Sequence, residues 1–309
     1  MKLLLTHIAD LDGITPVILM NLLNEEFDYE LFDVHDLDKF VFDKLDTDYF
    51  DKYEIVYITD LGVSRECADK IVSGKYRNKF KIFDHHESRN YLNDYDFAIE
   101  REEIDGFKVC GTTLFFDYLL NTYNNPILKK ESVLTLVELV RENDTWQFTD
   151  LKEDSMNLNA LFDFYGKETY IDVYTKFLKE NNKFYFTETQ LIILKSLNTQ
   201  QDEYLKSMEE KTIFRNINGY NVGIVFAEKY RSQLGNHLAI VYKEKVDFIC
   251  IINMARHISL RGIKEDKPVN KFAEIYGRGG HPLASAMPFK EELKEKIIDY
   301  IFGENSENR

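Results

Sequence analysis

Cysteine, proline and tryptophan are scarce in this chain: three, five and one among 309 residues. Cys67, Cys110 and Cys250 are odd in number, far apart and form no C-x-x-C pair. That excludes a disulfide framework and implies reduced thiols in a cytoplasmic protein, with Cys67 and Cys110 as apolar fillers. So few prolines, with only fourteen glycines, leave little room for low-complexity or disordered stretches. No apolar run approaches the roughly 20 residues of a membrane span, and the apolar stretch after Met1 is too short for a secretory signal. Positive charge is also in the minority, with 39 Lys and Arg against 54 Asp and Glu, a net charge of −15. A protein that grips long duplexes by neutralising phosphates carries the opposite sign. A membrane or long duplex partner is therefore excluded. A short anionic substrate is not, because bound cations invert the local charge.

What is present is an ordinary globular balance, 44% hydrophobic and 30% charged, with 23 Phe and 19 Tyr to fill cores. Short apolar runs at 2–6, 29–34, 54–59 and 79–83 read as strands, alternating with amphipathic stretches at 15–23 and 65–73. This rhythm predicts an α/β unit, a mostly parallel sheet with flanking helices. Helical periodicity follows at 114–121, 131–142 and 168–180. A long stretch without glycine or proline at 188–211 reads as a linker helix. Beyond it lies a smaller α/β unit: strands 211–216 and 221–227 about the Asn218-Gly219 turn, helix 234–242, strands 247–253 and 257–261, and an amphipathic helix at 290–302. The expected division is 1–185, a linker at 186–211, and 212–309. His35, His237 and His257 have no partners in sequence and read as structural. Trp146 and Phe148 read as core residues.

Three clusters stand directly after predicted strands: His7 to Gly13 (HIADLDG), Thr59 to Gly62 (TDLG) and Asp84 to Glu87 (DHHE). Ligands of open α/β sheets sit at the carboxyl ends of the strands, so these clusters converge on one crevice. Carboxylates packed together repel strongly unless a cation neutralises them, and Asp and His donors suit Mn²⁺, Mg²⁺ or similar ions. Asp10 and Asp12 also suit the N-cap of the next helix, a role compatible with metal binding. A fourth cluster, Glu142 to Trp146 (ENDTW), closes a helical stretch and means little alone.

Taken in order, these motifs resemble the DHH phosphoesterases, the group of RecJ-like exonucleases, nanoRNases and manganese pyrophosphatases. Residues 139–146 (LVRENDTW) followed by 158–162 (LNALF) look like the NrnB-type nanoRNases. Residues 276–285 (YGRGGHPLAS) resemble the glycine-rich signature of the DHH-associated C-terminal domain. The resemblance implies two divalent cations, Mn²⁺ foremost, with Mg²⁺ or Co²⁺ as alternatives. His7, Asp10 and Asp60 would hold one; Asp12, Asp60, His85 and Asp144 would hold the other. His86 would face the substrate phosphate as contact or proton donor, and Asp84 would orient a neighbouring histidine. Arg261, Arg278, Gly279, Gly280 and His281 would hold a substrate phosphate or nucleotide, the glycines through backbone N–H groups. Two residues separate His7 from Asp10 where relatives commonly have one or three, and Arg278 stands where glycine is frequent. The implied activity is hydrolysis of short oligonucleotides or linear dinucleotides by a two-metal-activated water. The alternatives are a phosphatase acting on adenosine 3′,5′-bisphosphate, or a nucleotide sensor without hydrolysis. A homodimer is compatible with either.

Overall fold

A computed structural model of the chain describes residues 1–303 apart from 256, 265, 278 and 279. The chain forms two compact units, Met1–Leu194 and a second beginning at Lys195. The first starts with β1 (Lys2–His7), α1 (Leu11–Leu22), β2 (Phe27–Phe32), α2 (Leu37–Lys44), β3 (Ile55–Thr59), α3 (Arg65–Ser73), β4 (Phe80–Asp84) and β5 (Ala98–Glu100). The hairpin β6 (Glu103–Ile104) and β7 (Phe107–Lys108) leads to α4 (Gly111–Thr122), α5 (Glu131–Thr145), α6 (Lys152–Tyr165), α7 (Lys167–Glu180) and α8 (Glu188–Glu209). The boundary between units falls inside α8, rather than on either side of a separate linker.

The strands pair in the order β2-β1-β3-β4-β5, all parallel. Apolar residues alternate between the two faces with period two. Leu3, Leu5, Val56, Ile58 and Ile82 enter one core with Leu37 and Val41 of α2 and Ile71 of α3. Leu4, Tyr57 and Phe83 enter the other with Val17 of α1, Phe115 of α4 and Leu136 of α5. A strand buried on both faces needs consecutive apolar residues, which is why Leu3-Leu4-Leu5 is unbroken. In register, Thr6 stands beside Thr59, and Thr59 beside Phe83. β1, β3 and β4 therefore end level with one another. Strand order reverses between β1 and β3, the point at which open α/β sheets leave a crevice.

The second unit contains β8 (Ile213–Ile217), β9 (Tyr220–Phe226), α9 (Arg231–Val241), β10 (Phe248–Ile252), β11 (His257–Gly262), α10 (Val269–Ile275), β12 (Gly280–His281), β13 (Ala284–Pro288) and α11 (Glu291–Ile298). Its sheet runs β12-β13-β11-β10-β9-β8, and of these pairs β9 and β10, joined through α9, are parallel. The β8–β9 turn places Asn218 and Gly219 at φ 50° and 84°, the left-handed pair that a two-residue hairpin demands. Val225, Ile249 and Ile251 pack on Leu234 and Leu238 of α9. Val222, Phe248 and Leu260 pack on Val269 and Phe272 of α10 on the other face. Among the described residues no helix is long and apolar enough to cross a membrane.

Candidate metal centre

Each strand end delivers one cluster. His7 closes β1, Asp60 follows β3, and Asp84 closes β4 with His85 and His86 behind it. A buried hydroxyl chain ties the first two ends: Thr59 Oγ1 donates to Thr6 Oγ1 (2.7 Å), which donates to the Gly13 carbonyl (2.6 Å). Gly13 is obligatory, because a Cβ there would lie 2.2 Å from the His7 carbonyl oxygen. Helix α1 begins at Leu11, earlier than periodicity predicts, because Asp10 caps it by accepting from the Gly13 amide (2.9 Å).

Asp12 is buried and anchored from far along the chain. Its carboxylate accepts the Gly111 amide (2.8 Å) and the Thr112 amide (2.7 Å), the first turn of α4. A helix N-terminus presents such unpaired donors and favours negative charge. Pro16, inside α1, lacks the N–H that would bond to the Asp12 carbonyl four residues back. The Thr112 hydroxyl takes that carbonyl instead (2.7 Å). Gly111 permits this approach, since a Cβ there would lie 2.6 Å from the Asp60 nitrogen. Gly111 and Thr112 are site-building residues that the sequence reading misses. The helix N-terminus at Gly111 was the signal available.

Asp60 sits at φ 56°, a left-handed turn that lets its carboxylate face two groups at once. Its Oδ2 is 3.2 Å from His7 Nδ1, which is 3.0 Å from Asp10 Oδ2. Its Oδ1 is 3.4 Å from His85 Nε2. That nitrogen also lies 3.6 Å from Asp12 Oδ2 and 3.5 Å from Asp144 Oδ2, the latter on the last turn of α5. The structure thus gathers His7, Asp10 and Asp60 in one group, Asp12, His85 and Asp144 in a second, and Asp60, His85 and His86 in a third. Asp84 is fully buried. Its Oδ1 accepts from the His85 amide (2.8 Å) and the His86 amide (3.2 Å) and meets His86 Nδ1 at 2.7 Å, fixing that ring while half of the His86 side chain stays exposed.

The electrostatics follow from this crowding. Burial, then Asp60 and Asp144, push the Asp12 carboxyl well above the usual carboxylate range. Burial likewise lifts Asp144 to about 6. For Asp60 burial opposes ionisation, but His7 and His85 outweigh it and hold the group at about 2. His7 is raised to about 10 by Asp10 and then Asp60. Burial lowers His85, yet Asp60, Asp12 and Asp144 carry it to about 10. Such a set is neutralised either by protonated imidazoles or by cations that take the imidazoles as neutral ligands. Geometry favours cations. His85 Nε2 is buried and makes no hydrogen bond among the described residues, although three carboxylate oxygens stand 3.4–3.6 Å away. Donor atoms sharing one small cation at about 2.1 Å stand roughly 3.0–3.4 Å apart. The donor set therefore fits divalent cations.

In the second unit, Arg261 on β11 donates to Ser232 Oγ (3.1 Å) and to the Leu260 carbonyl (3.2 Å). Gly235 gives its side chain room, a Cβ there falling 2.5 Å from Arg261 Cγ. Burial and then Arg231 lower the Arg261 guanidinium. Arg231 itself lies 2.7 Å from His257 Nε2, and the sequence reading overlooks it. His281 is exposed and its Nδ1 accepts from the Leu283 amide (3.3 Å). Gly280, at φ 153°, leaves space for Ser285 on the paired strand. Arg278 and Gly279 lie outside the described residues. One expectation is overturned: Trp146 is 61% exposed, not in the core, and Phe148 is only partly buried. Trp146 is the C-cap of α5, in the left-handed conformation at φ 55° and ψ 19°.

Fold and cluster together define a two-unit α/β protein with a dense Asp/His donor set on the carboxyl edge of its parallel sheet. No family model matches the chain. It is similar to oligoribonuclease NrnB of Bacillus subtilis (strain 168), 28% identical over 256 residues, 81% of the chain. The match spans 63% of that relative's length, less than two thirds. Among solved structures it resembles a pGpG-specific phosphodiesterase from Vibrio cholerae. The TM-score is 0.54 at 14% identity, covering 98% of each chain, a likeness of fold. The resemblance to DHH phosphoesterases read from the motifs is thus borne out by an oligoribonuclease relative.

Proposed function

We propose that the chain is a cation-dependent phosphodiesterase that hydrolyses short oligonucleotides, including linear dinucleotides, to mononucleotides. The observation that carries this reading is Asp60, whose two carboxylate oxygens serve His7 on one side and His85 on the other. His7, Asp10 and Asp60 hold one cation; Asp12, Asp60, His85 and Asp144 hold the other, with Mn²⁺ the favoured ion. Two cations so held supply Lewis-acid neutralisation of phosphate charge and a nucleophilic water at neutral pH. His86, with Nδ1 committed to Asp84, keeps Nε2 for the substrate phosphate or for a proton to the leaving oxygen. Asp12, held by two amides of α4, keeps its orientation through the reaction. Arg261, Arg278, Gly279, Gly280 and His281, all in the second unit, are the residues assigned to binding a phosphate or nucleotide. The three buried free thiols suit a reducing, cytoplasmic setting.

The test is incubation with Mn²⁺ and end-labelled RNA and DNA oligomers from dinucleotides upward, beside adenosine 3′,5′-bisphosphate and pyrophosphate. Turnover confined to the shortest oligomers, lost on chelation and in Asp60→Asn, is the expected result. Turnover of the bisphosphate alone, or of nothing despite bound Mn²⁺, overturns the reading.

A further inference from the structure

We propose that Trp146 is a substrate-binding residue that stacks on a nucleobase of the substrate held at the cation cluster; the inference rests on the oligonucleotide reading above. The chain's one tryptophan follows Asp144 by two residues and is 61% exposed. It is held at φ 55°, ψ 19°, a conformation that bulky residues adopt only where the surroundings impose it.

Those surroundings are unusually firm for a helix end. Arg141 and Glu142 are both buried. The Arg141 carbonyl accepts the Thr145 hydroxyl (2.7 Å), whose oxygen accepts the Gln147 amide (3.3 Å). Gln147 Oε1 accepts from the Lys108 amide (2.9 Å) and from Arg141 Nη1 (3.3 Å). The Arg141 guanidinium is fixed in turn by both oxygens of Glu138 (2.8 and 2.6 Å). Beyond the indole, Glu142 Oε1 accepts the Thr149 amide (2.8 Å). Phe148 meets the indole edge-to-face, ring centres 5.7 Å apart.

The segment from 145 to 149 is thus pinned on both sides of Trp146 while the indole itself stands in solvent. Phe148 is the ring partner of the indole, and most of the Trp146 residue stays exposed. An exposed aromatic ring two residues after Asp144, a member of the donor cluster, is what a base of a short single strand bound there would stack on. Stacking is tolerant of base identity, so the ligand class is any nucleobase-bearing dinucleotide or short oligomer.

The single tryptophan provides its own reporter. The full chain would be titrated with a dinucleotide carrying a non-hydrolysable methylenephosphonate linkage, and with its doubly abasic counterpart, saturation being followed by calorimetry. Indole emission should be quenched by the first and not by the second. In steady-state assays Trp146→Ala should raise KM for a dinucleotide about tenfold with kcat nearly unchanged, leave the abasic substrate unaffected, and be largely rescued by Trp146→Phe. Emission unchanged at saturation, or an unaltered KM in Trp146→Ala, overturns the inference. A wild-type protein that quenches but does not turn over sinks hydrolysis and leaves stacking standing.

Discussion

The centre depends on residues with no side chain as much as on those with one. A methyl group at Gly111 would meet the nitrogen, Cα and Cβ of Asp60 at 2.6–2.8 Å, and none of these is the end of a flexible side chain. Gly111→Ala must therefore push α4 away from β3, loosening both amide bonds to Asp12. Overpacking of this kind costs about 1–3 kcal/mol. The expected outcome is weaker Mn²⁺ binding by calorimetry, activity down at least about a hundredfold as reacting groups shift, and a lower melting temperature. Gly106→Ala, where a Cβ meets nothing within 4 Å, serves as control; it is strained by φ 85° but lies away from Asp60.

Within the second unit, Asp247 at the head of β10 fastens two neighbouring segments. It is buried, bonds Lys264 Nζ (2.9 Å) and Lys267 Nζ (2.8 Å), and accepts the Asn221 amide (2.8 Å). Burial opposes its ionisation, but Lys267, the Asn221 amide and Lys264 outweigh it and hold the carboxyl at about 2. Its folded value lies below its unfolded one, so the stabilisation, about 2 kcal/mol, is complete above about pH 4. It is lost as pH falls through 2. Urea melts of the wild type and of Asp247→Asn should therefore differ at pH 6 and converge near pH 2; equal curves at pH 6 would contradict this account.

Elements of that kind were unequally legible in the sequence. β1, β3 and β4 lie inside the sheet, and their short apolar runs with His or Asp at or just past the strand end announced both strand and site. α2 buries only Leu37 and Val41, and α10 has seven residues, too few for a helical period to show. Their helicity is fixed by what they pack against. β5 is three residues long and, among the described residues, pairs with β4 alone. Trp146 departs from the burial that hydrophobicity predicts on average, standing 61% exposed at a left-handed helix cap. Gly111 shows in the sequence only as a helix start, since its closeness to Asp60, about fifty positions earlier in the chain, comes from the tertiary fold.

At the scale of the molecule, the donor set runs from His7 to Asp144, so the unfolded chain has no comparable site. Cations should then stabilise the first unit by mass action, about 2.7 kcal/mol at a hundredfold excess over Kd. For a unit of this size that is a rise of roughly 5–10 °C in Tm. Calorimetry of the full chain with and without chelator should move one transition and leave any belonging to the second unit in place. A uniform shift, or none, would count against a centre confined to the first unit. The bond from Thr112 to the carbonyl that Pro16 leaves free has a consequence in time. Joining α1 to α4 closes a loop of about a hundred residues, and contacts of such separation form late on the way to the native state. A chain still emerging from synthesis thus carries all its strand-end donors up to His86 without the helix that aligns Asp12, and so becomes competent only once α4 and α5 have arrived.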